Sequence, residues 1–275
     1  PLGQSFAARM QNAGYEAAGL NMLYFYTEVD KDHLGDVVNG LRYMNFAGFA
    51  VTKPNKVRVL RYLDELDPLC KKMGASNTVV KTPEGKLIGY NTDGVGFYTS
   101  LVEEGKINVE ESTFFCFGAG GAGRAMCSVL AYHGAKKIYI TDFYEPCAES
   151  LVMDINENFA PVAELVHHGD YAKIAECNVV MNASGIGMGS TIGQTPMPVE
   201  HIQPGQFYFD ACYNPDKTQF LLNAEEKGCQ VLNGLGMSLY QGVAQVELWT
   251  GKRAPVEAMR RELLDILEEQ KQAQK

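Results

Sequence analysis

Phe114-Phe115-Cys116-Phe117-Gly118-Ala119-Gly120-Gly121-Ala122-Gly123, followed through Lys137-Ile138-Tyr139-Ile140-Thr141 to Asp142, is the stretch that decides the fold. Four apolar residues in a row read as a strand buried on both faces. Gly118 to Gly123 fits G-x-G-x-x-G, and Arg124–His133 has a helical pattern closed by Gly134. The glycine spacing alone is a weak signal. A strand before it and a helix after it make a βαβ unit that binds a dinucleotide. The glycines let the backbone approach a pyrophosphate, which then lies at the positive end of the helix. Gly118, Ala119, Gly120, Gly121, Ala122 and Gly123 are therefore the expected cofactor residues. The next strand, Lys137–Thr141, ends at Asp142, 22 residues after Gly120, where a carboxylate can accept a ribose 2′-hydroxyl. Asp142 would repel a 2′-phosphate, and Phe143-Tyr144 offers no cation to hold one. The expectation is NAD rather than NADP.

Outward from this unit, apolar strand-like runs alternate with helical patterns, which predicts an α/β fold with largely parallel sheets. On the C-terminal side, strands are expected at Val179–Asn182, Phe207–Asp210 and Gln230–Asn233, then helix from Tyr240 to Thr250. Beyond Pro255, Val256, Met259, Leu263 and Leu267 form an apolar stripe that packs back onto the first domain. On the N-terminal side, Ala7–Ala18 reads as helix, Asn21–Thr27 as strand and Asp30–Met44 as helix. Phe46–Thr52 reads as a strand ending at Pro54, and Val57–Met73 as a further helix. Thr82-Pro83-Glu84-Gly85 joins Thr78–Lys81 and Lys86–Tyr90 in a hairpin. The domains are expected at residues 1–102, completed by 239–275, and at 103–238.

Bulk properties exclude several function classes. The 275 residues carry 24 Lys and Arg against 33 Asp and Glu, a formal net charge of -9. Nucleic acid is excluded as a partner, because phosphate backbones demand clustered cations. No apolar run approaches the roughly 18–20 residues needed to cross a bilayer, and no secretion signal is visible. Seven cysteines occur singly, the pattern of a reducing cytoplasm with buried thiols acting as small apolar residues. Neither they nor the five histidines show metal-ligand spacing, so no metal is expected. His167 and His168 read as solvent-facing loop residues.

Three polar islands lie at strand ends or turns of the first domain: Val51 to Lys56, Gly74 to Thr78 and Asn91 to Gly94. These are the positions where α/β folds place ligands. Oxidising an alcohol by hydride transfer needs a partner for the hydroxyl proton as well as a cofactor for the hydride. Lys56 with Asp93 and Asn77 can supply that partner, although Lys56 or Asp93 taken singly is more often a surface or capping residue.

These islands, taken with the glycine turn, carry a resemblance to the shikimate/quinate dehydrogenase family over nearly the whole chain. The matching segments run in order: Pro1 to Ser5, Thr52 to Lys56, Gly74 to Thr78, Asn91 to Gly94 and the turn itself. They continue with Asn182-Ala183-Ser184-Gly185-Ile186-Gly187-Met188, Asp210 to Pro215, Gly234 to Met237 and Gln241-Gly242. The resemblance implies an N-terminal substrate domain, a C-terminal Rossmann-like domain and an active site in the cleft between them. It implies that Lys56 and Asp93 are the catalytic pair and that Asn77 binds ring hydroxyls. Ser5 and Tyr213 would hold the substrate carboxylate, and Thr52 and Gln241 further substrate atoms. Asn182, Ala183 and Ser184 would line the cofactor, with Gly236 and Met237 near the nicotinamide. The implied substrate is shikimate, quinate or a related cyclic polyhydroxy carboxylic acid, in the cytoplasmic chorismate pathway to the aromatic amino acids. A homodimer is compatible with this reading. An adjacent carboxylate raises a lysine pKa whereas a general base needs it lowered, so the pair is assigned jointly.

Departures from the family pattern cluster on the carboxylate side. Ala7 stands where the family has the second serine of Ser-x-Ser, Ala50 where it has asparagine, and Gln4 where it has histidine. Losing one hydroxyl hydrogen bond to a charged group costs about 1.5–3 kcal/mol, roughly a tenfold to hundredfold loss of affinity. Lys53, where the family has an apolar residue, either compensates or is an exposed surface lysine. The chain also begins where the family's first strand should have just ended; either that strand precedes this numbering, or its loss leaves a gap or an open edge in the first sheet. Alternative readings are a dehydrogenase of another cyclic, for example aminated, polyol acid, and a non-catalytic sensor that binds NAD and a metabolite.

Overall fold

The structure is a computed structural model that describes residues 6–273. The chain divides into two units, Pro1–Gly96 with Leu239–Lys275, and Phe97–Ser238. The first unit begins with α1 (Ala7–Ala17) and α2 (Leu34–Tyr43), the latter preceded by a 3-10 turn at Lys31–His33. Then come β1 (Gly48–Ala50), β2 (Glu65–Leu66), α3 (Pro68–Met73), β3 (Thr78–Lys81) and β4 (Leu87–Tyr90), which leads into α4 (Thr92–Glu103).

Its sheet has the order β1-β3-β4-β2, with β1 and β4 antiparallel to β3 and only β2 and β4 parallel. The expectation of largely parallel sheets fails here because the Thr82–Gly85 turn folds β4 straight back on β3, with Thr82 N–H to Lys86 O at 2.8 Å. Leu34 and Val38 of α2 join Val59, Val79 and Leu87 in the core.

Two further expectations are corrected in this unit. No strand forms at Asn21–Thr27: a strand requires a ladder partner. Here the backbone of Tyr24 is instead held by the Asn12 side chain at 2.7 and 2.8 Å. Leu23, Phe25 and Tyr26 remain exposed. The continuous helix expected at Val57–Met73 is broken into a 3-10 turn at Arg58–Tyr62, β2 and α3. Pro68 disfavours helix at the residue before it, and Asp67 takes the N-cap, accepting from the N–H groups of Leu69 and Cys70 at 2.9 and 3.4 Å. Asp67→Ala is expected to cost about 1 kcal/mol of stability, a fall in Tm of about 2–4 °C in a thermal melt. An unchanged melting curve would contradict that assignment.

The second unit is a single parallel sheet. Its strands are β5 (Thr113–Phe117), β6 (Lys137–Thr141), β7 (Ala163–Leu165), β8 (Val179–Asn182), β9 (Phe207–Asp210) and β10 (Gln230–Asn233). They lie in the order β10-β9-β8-β5-β6-β7, crossed by α5 (Gly121–Tyr132), α6 (Glu145–Asn158) and α7 (Gln219–Glu226). The order reverses at β5 and β8, the switch point where open α/β sheets bind ligands. Register makes the strands end level there: Phe117 pairs with Thr141 and with Asn182, and Asn182 with Asp210. Gly118, Asp142 and Ala183 therefore start from one edge. Phe115, Phe117, Tyr208 and Phe220 fill one side of the sheet. The short β7 was not anticipated, since three residues carry too little periodicity to be read.

The chain returns through α8 (Leu235–Thr250) to α9 (Val256–Ala273) in the first unit, where α9 packs on α1. Arg9 reaches Glu262 and Glu269 at 2.7 and 2.6 Å, a solvent-screened surface pairing. All seven cysteines are unpaired; six are buried, and Cys147 is exposed, contrary to the general expectation for the thiols.

Candidate active site

In the first unit the polar islands converge on one cavity of about 800 Å³. Thr52, Lys56, Asn77, Asp93 and Gln241 all line it. Lys56 Nζ donates to Asp93 Oδ2 at 2.7 Å, with both side chains about three-quarters buried. The two arrive from different directions. Lys56 follows the turn after β1 and is fixed through its carbonyl, which accepts the Ser76 N–H at 2.9 Å. Asp93 lies in the first turn of α4, whose start is capped by Asn91 Oδ1 accepting from Gly94 N at 3.3 Å.

Asn77 holds this arrangement together. Its Oδ1 accepts from Thr92 N at 2.7 Å and Thr78 Oγ1 at 3.0 Å, and its Nδ2 donates to Thr92 Oγ1 at 3.0 Å and Gln241 Oε1 at 3.4 Å. It is thus tied to the residue next to Asp93 as well as lining the cavity. Gln245, one turn beyond Gln241, donates to Thr78 Oγ1 at 2.9 Å and accepts from Gln11 at 2.9 Å. Gln245 and Tyr24 also line the cavity and were missed from the sequence. The i,i+4 spacing from Gln241 was the available signal for Gln245; Tyr24 sits in a segment misread as strand. Burial pushes the Tyr24 phenol above its ordinary pKa. Ser5 lies outside the described residues.

In the second unit the glycine turn has the expected form. Gly118 has φ +100°, and a Cβ there would lie 2.6 Å from Ser184 N. A Cβ on Gly123 would overlap the Gly118 carbonyl oxygen, whereas one on Gly120 would meet open space. The backbone is therefore packed on its inner side and open at Gly120, where α5 begins. Asp142 stands beside the turn, its Oδ2 accepting from Ala119 N at 2.7 Å and its Oδ1 from Tyr144 N at 2.9 Å. A carboxylate has about four lone-pair sites, so capacity for a hydroxyl donor remains.

The loop after β8 is built as firmly. Asn182 Oδ1 accepts from Ser184 N and Oγ at 3.1 and 2.6 Å, and its Nδ2 donates to Ile186 O and Asp210 Oδ1 at 2.9 and 3.1 Å. Asp210 is fully buried and also accepts from Thr218 Oγ1 at 2.6 Å and Cys212 N at 2.9 Å. Burial raises its pKa against these donors. Ala183 and Ser184 are thereby held against Gly118. Tyr213 belongs to this unit, hydrogen-bonded to Ser238, and burial raises its pKa. Gly236 and Met237 open α8, with Gly236 packed on Ser100 and Glu104. The residues fit a dinucleotide: a glycine cradle open on one side, a free helix start and a carboxylate at the next strand end.

The model of the shikimate dehydrogenase substrate binding domain matches residues 1–79, and that of the shikimate 5'-dehydrogenase C-terminal domain matches residues 234–264. The chain is 40% identical over 264 residues to the shikimate dehydrogenase (NADP(+)) of Desulforamulus reducens, covering 94% of this chain and 90% of that one. That relative's cofactor name runs against the NAD expectation. Among solved structures, shikimate 5-dehydrogenase from Listeria monocytogenes in complex with shikimate and NAD has a TM-score of 0.91 and 38% identity, covering 96% of this chain and 93% of that one. The ligand-free 5-ketofructose reductase of Gluconobacter sp. has a TM-score of 0.89 and 33% identity, covering 97% and 95%. Likeness at this identity, over nearly all of both chains, means that the chain belongs to the shikimate dehydrogenase family of nicotinamide-dependent oxidoreductases.

Proposed function

We propose that the chain is an NAD-dependent dehydrogenase of shikimate or a close ring acid such as quinate. The observation that carries this reading is the Lys56–Asp93 pair at 2.7 Å in a cavity shared with Thr52, Asn77 and Gln241. When bound, the dinucleotide supplies the hydride acceptor. The chain's own groups handle the rest. The Lys56–Asp93 pair takes the hydroxyl proton on oxidation and returns it on reduction, with Asp93 holding Lys56 Nζ in place. Thr52, Asn77 and Gln241 offer hydrogen bonds to ring substituents, and Ser5 and Tyr213 are further substrate contacts by family resemblance. Gly118 to Gly123 cradle the pyrophosphate, and Asn182, Ala183, Ser184, Gly236 and Met237 line the cofactor.

The preference for NAD rests on Asp142. Its carboxylate sits beside the turn, and the next two residues, Phe143 and Tyr144, are exposed aromatics rather than cations. Asp142→Ala is expected to narrow the NAD-to-NADP ratio of kcat/KM by about tenfold, the loss of one hydrogen bond to a charged group. A wild-type enzyme that favours NADP would contradict the preference while leaving the reaction untouched. Likeness to the 5-ketofructose reductase, together with Ala7 in the cavity wall, favours a second reading, reduction of a neutral polyol ketone. Steady-state kinetics with shikimate, quinate and a neutral keto-sugar, each with NAD(H) and NADP(H), separates the two. Turnover of the ring acids with NAD is the expected result; no turnover of any cyclohexane polyol acid would overturn the proposal.

A further inference from the structure

We propose that Lys53 anchors the substrate carboxylate in place of the hydroxyl missing at Ala7. This deepens the reading above and rests on it for the identity of the ring acid. Four charged side chains line the cavity: Glu28, Lys53, Lys56 and Asp93. Lys56 and Asp93 neutralise each other, and Glu28 has an interaction of its own. Lys53 is exposed, has no ion-pair or hydrogen-bond partner among the described residues, and lines the same cavity as Ala7.

The neutral donors in the cavity already have roles. Gln245 is tied to Thr78, and Asn77 and Gln241 serve the ring hydroxyls in the reading above. Ala7 presents only a methyl group. An anion entering a protein of net charge -9 needs a local cation working against the overall field, and Lys53 is the cation without a partner. It stands three residues before Lys56 on the same turn. A ligand whose hydroxyl meets the Lys56–Asp93 pair can therefore direct a second, anionic substituent to Lys53. The ligand class this selects is a ring polyol bearing one carboxylate, in preference to its neutral counterpart.

Binding, rather than turnover, tests this. Titration calorimetry would compare shikimate with its methyl ester on wild type, Lys53→Ala and Lys53→Arg. Wild type is expected to bind the acid more tightly than the ester. Lys53→Ala should raise Kd for the acid about tenfold or more, the worth of one charge-assisted hydrogen bond, and leave Kd for the ester unchanged. Lys53→Arg should keep most of the affinity for the acid. Equal losses for acid and ester in Lys53→Ala would mean a structural role and overturn the proposal, as would a wild type that binds the acid no better than the ester. Tight, Lys53-dependent binding of the acid with no turnover would uphold the anchor and sink the proposed reaction.

Discussion

Lys56→Ala is expected to lower kcat for shikimate oxidation with NAD by about a hundredfold to ten-thousandfold, the range for losing a positioned proton-transfer group. KM should change much less. The pair is made by a single 2.7 Å contact between two partly buried groups, and no other lysine among the residues lining the cavity has a carboxylate partner. Removing Lys56 Nζ leaves Asp93 beside the substrate hydroxyl without its partner in the proton transfer. It leaves the dinucleotide turn unaffected, because that turn is built entirely from residues of the other unit. NADH binding, followed by its fluorescence, should therefore survive in the variant. A variant that keeps wild-type kcat would remove Lys56 from the chemistry; one that loses NADH binding as well would point to general damage.

Gly123→Ala is expected to give the second large effect, on binding and stability rather than on the chemical step. The added methyl would occupy the space of the Gly118 carbonyl oxygen. That obstacle is backbone, so it cannot swing aside as a side chain can. The strand end and the start of α5 would have to separate, at a cost of about 1–3 kcal/mol if the change behaves as core overpacking. Separation also spoils the cradle, because Gly118 is pressed against Ala183 and Ser184 on its other side. The expected result is a lower Tm together with a loss of NADH fluorescence enhancement at concentrations that saturate wild type. Normal cofactor affinity in this variant would mean that the turn does not carry the dinucleotide. Gly120→Ala is the useful control for stability, since its Cβ would meet open space.

How far the sequence could be read follows from the reach of the interactions involved. The parallel sheet from β5 to β10 was legible because its strands are short apolar runs buried on both faces, with a recognisable turn after the first. The first unit was less so. Asn21–Thr27 has the composition of a strand, but strand formation depends on a partner elsewhere in the chain, and Asn12 takes the backbone of Tyr24 instead. Val57–Met73 has helical apolar spacing, yet Asp67-Pro68 stops the helix locally, and that signal is present in the sequence. In the site, Lys56, Asp93 and Asn77 were legible as polar residues at strand ends. That Asn77 also braces the start of α4 through Thr92 was not, because a side chain bonded across 15 positions leaves no periodic trace. The Asp210–Asn182 contact was hidden for the same reason: it exists only because β8 and β9 are in register.

The most direct test of the proposed reaction is an isotope transfer experiment with the wild-type protein. Shikimate carrying deuterium on the ring carbon of the oxidised hydroxyl would be incubated with NAD, and the reduced nucleotide analysed by mass spectrometry. One deuterium is expected in each NADH formed. Reduced nucleotide without the label, or no reduced nucleotide with any ring acid, would contradict hydride transfer at the hydroxyl-bearing carbon.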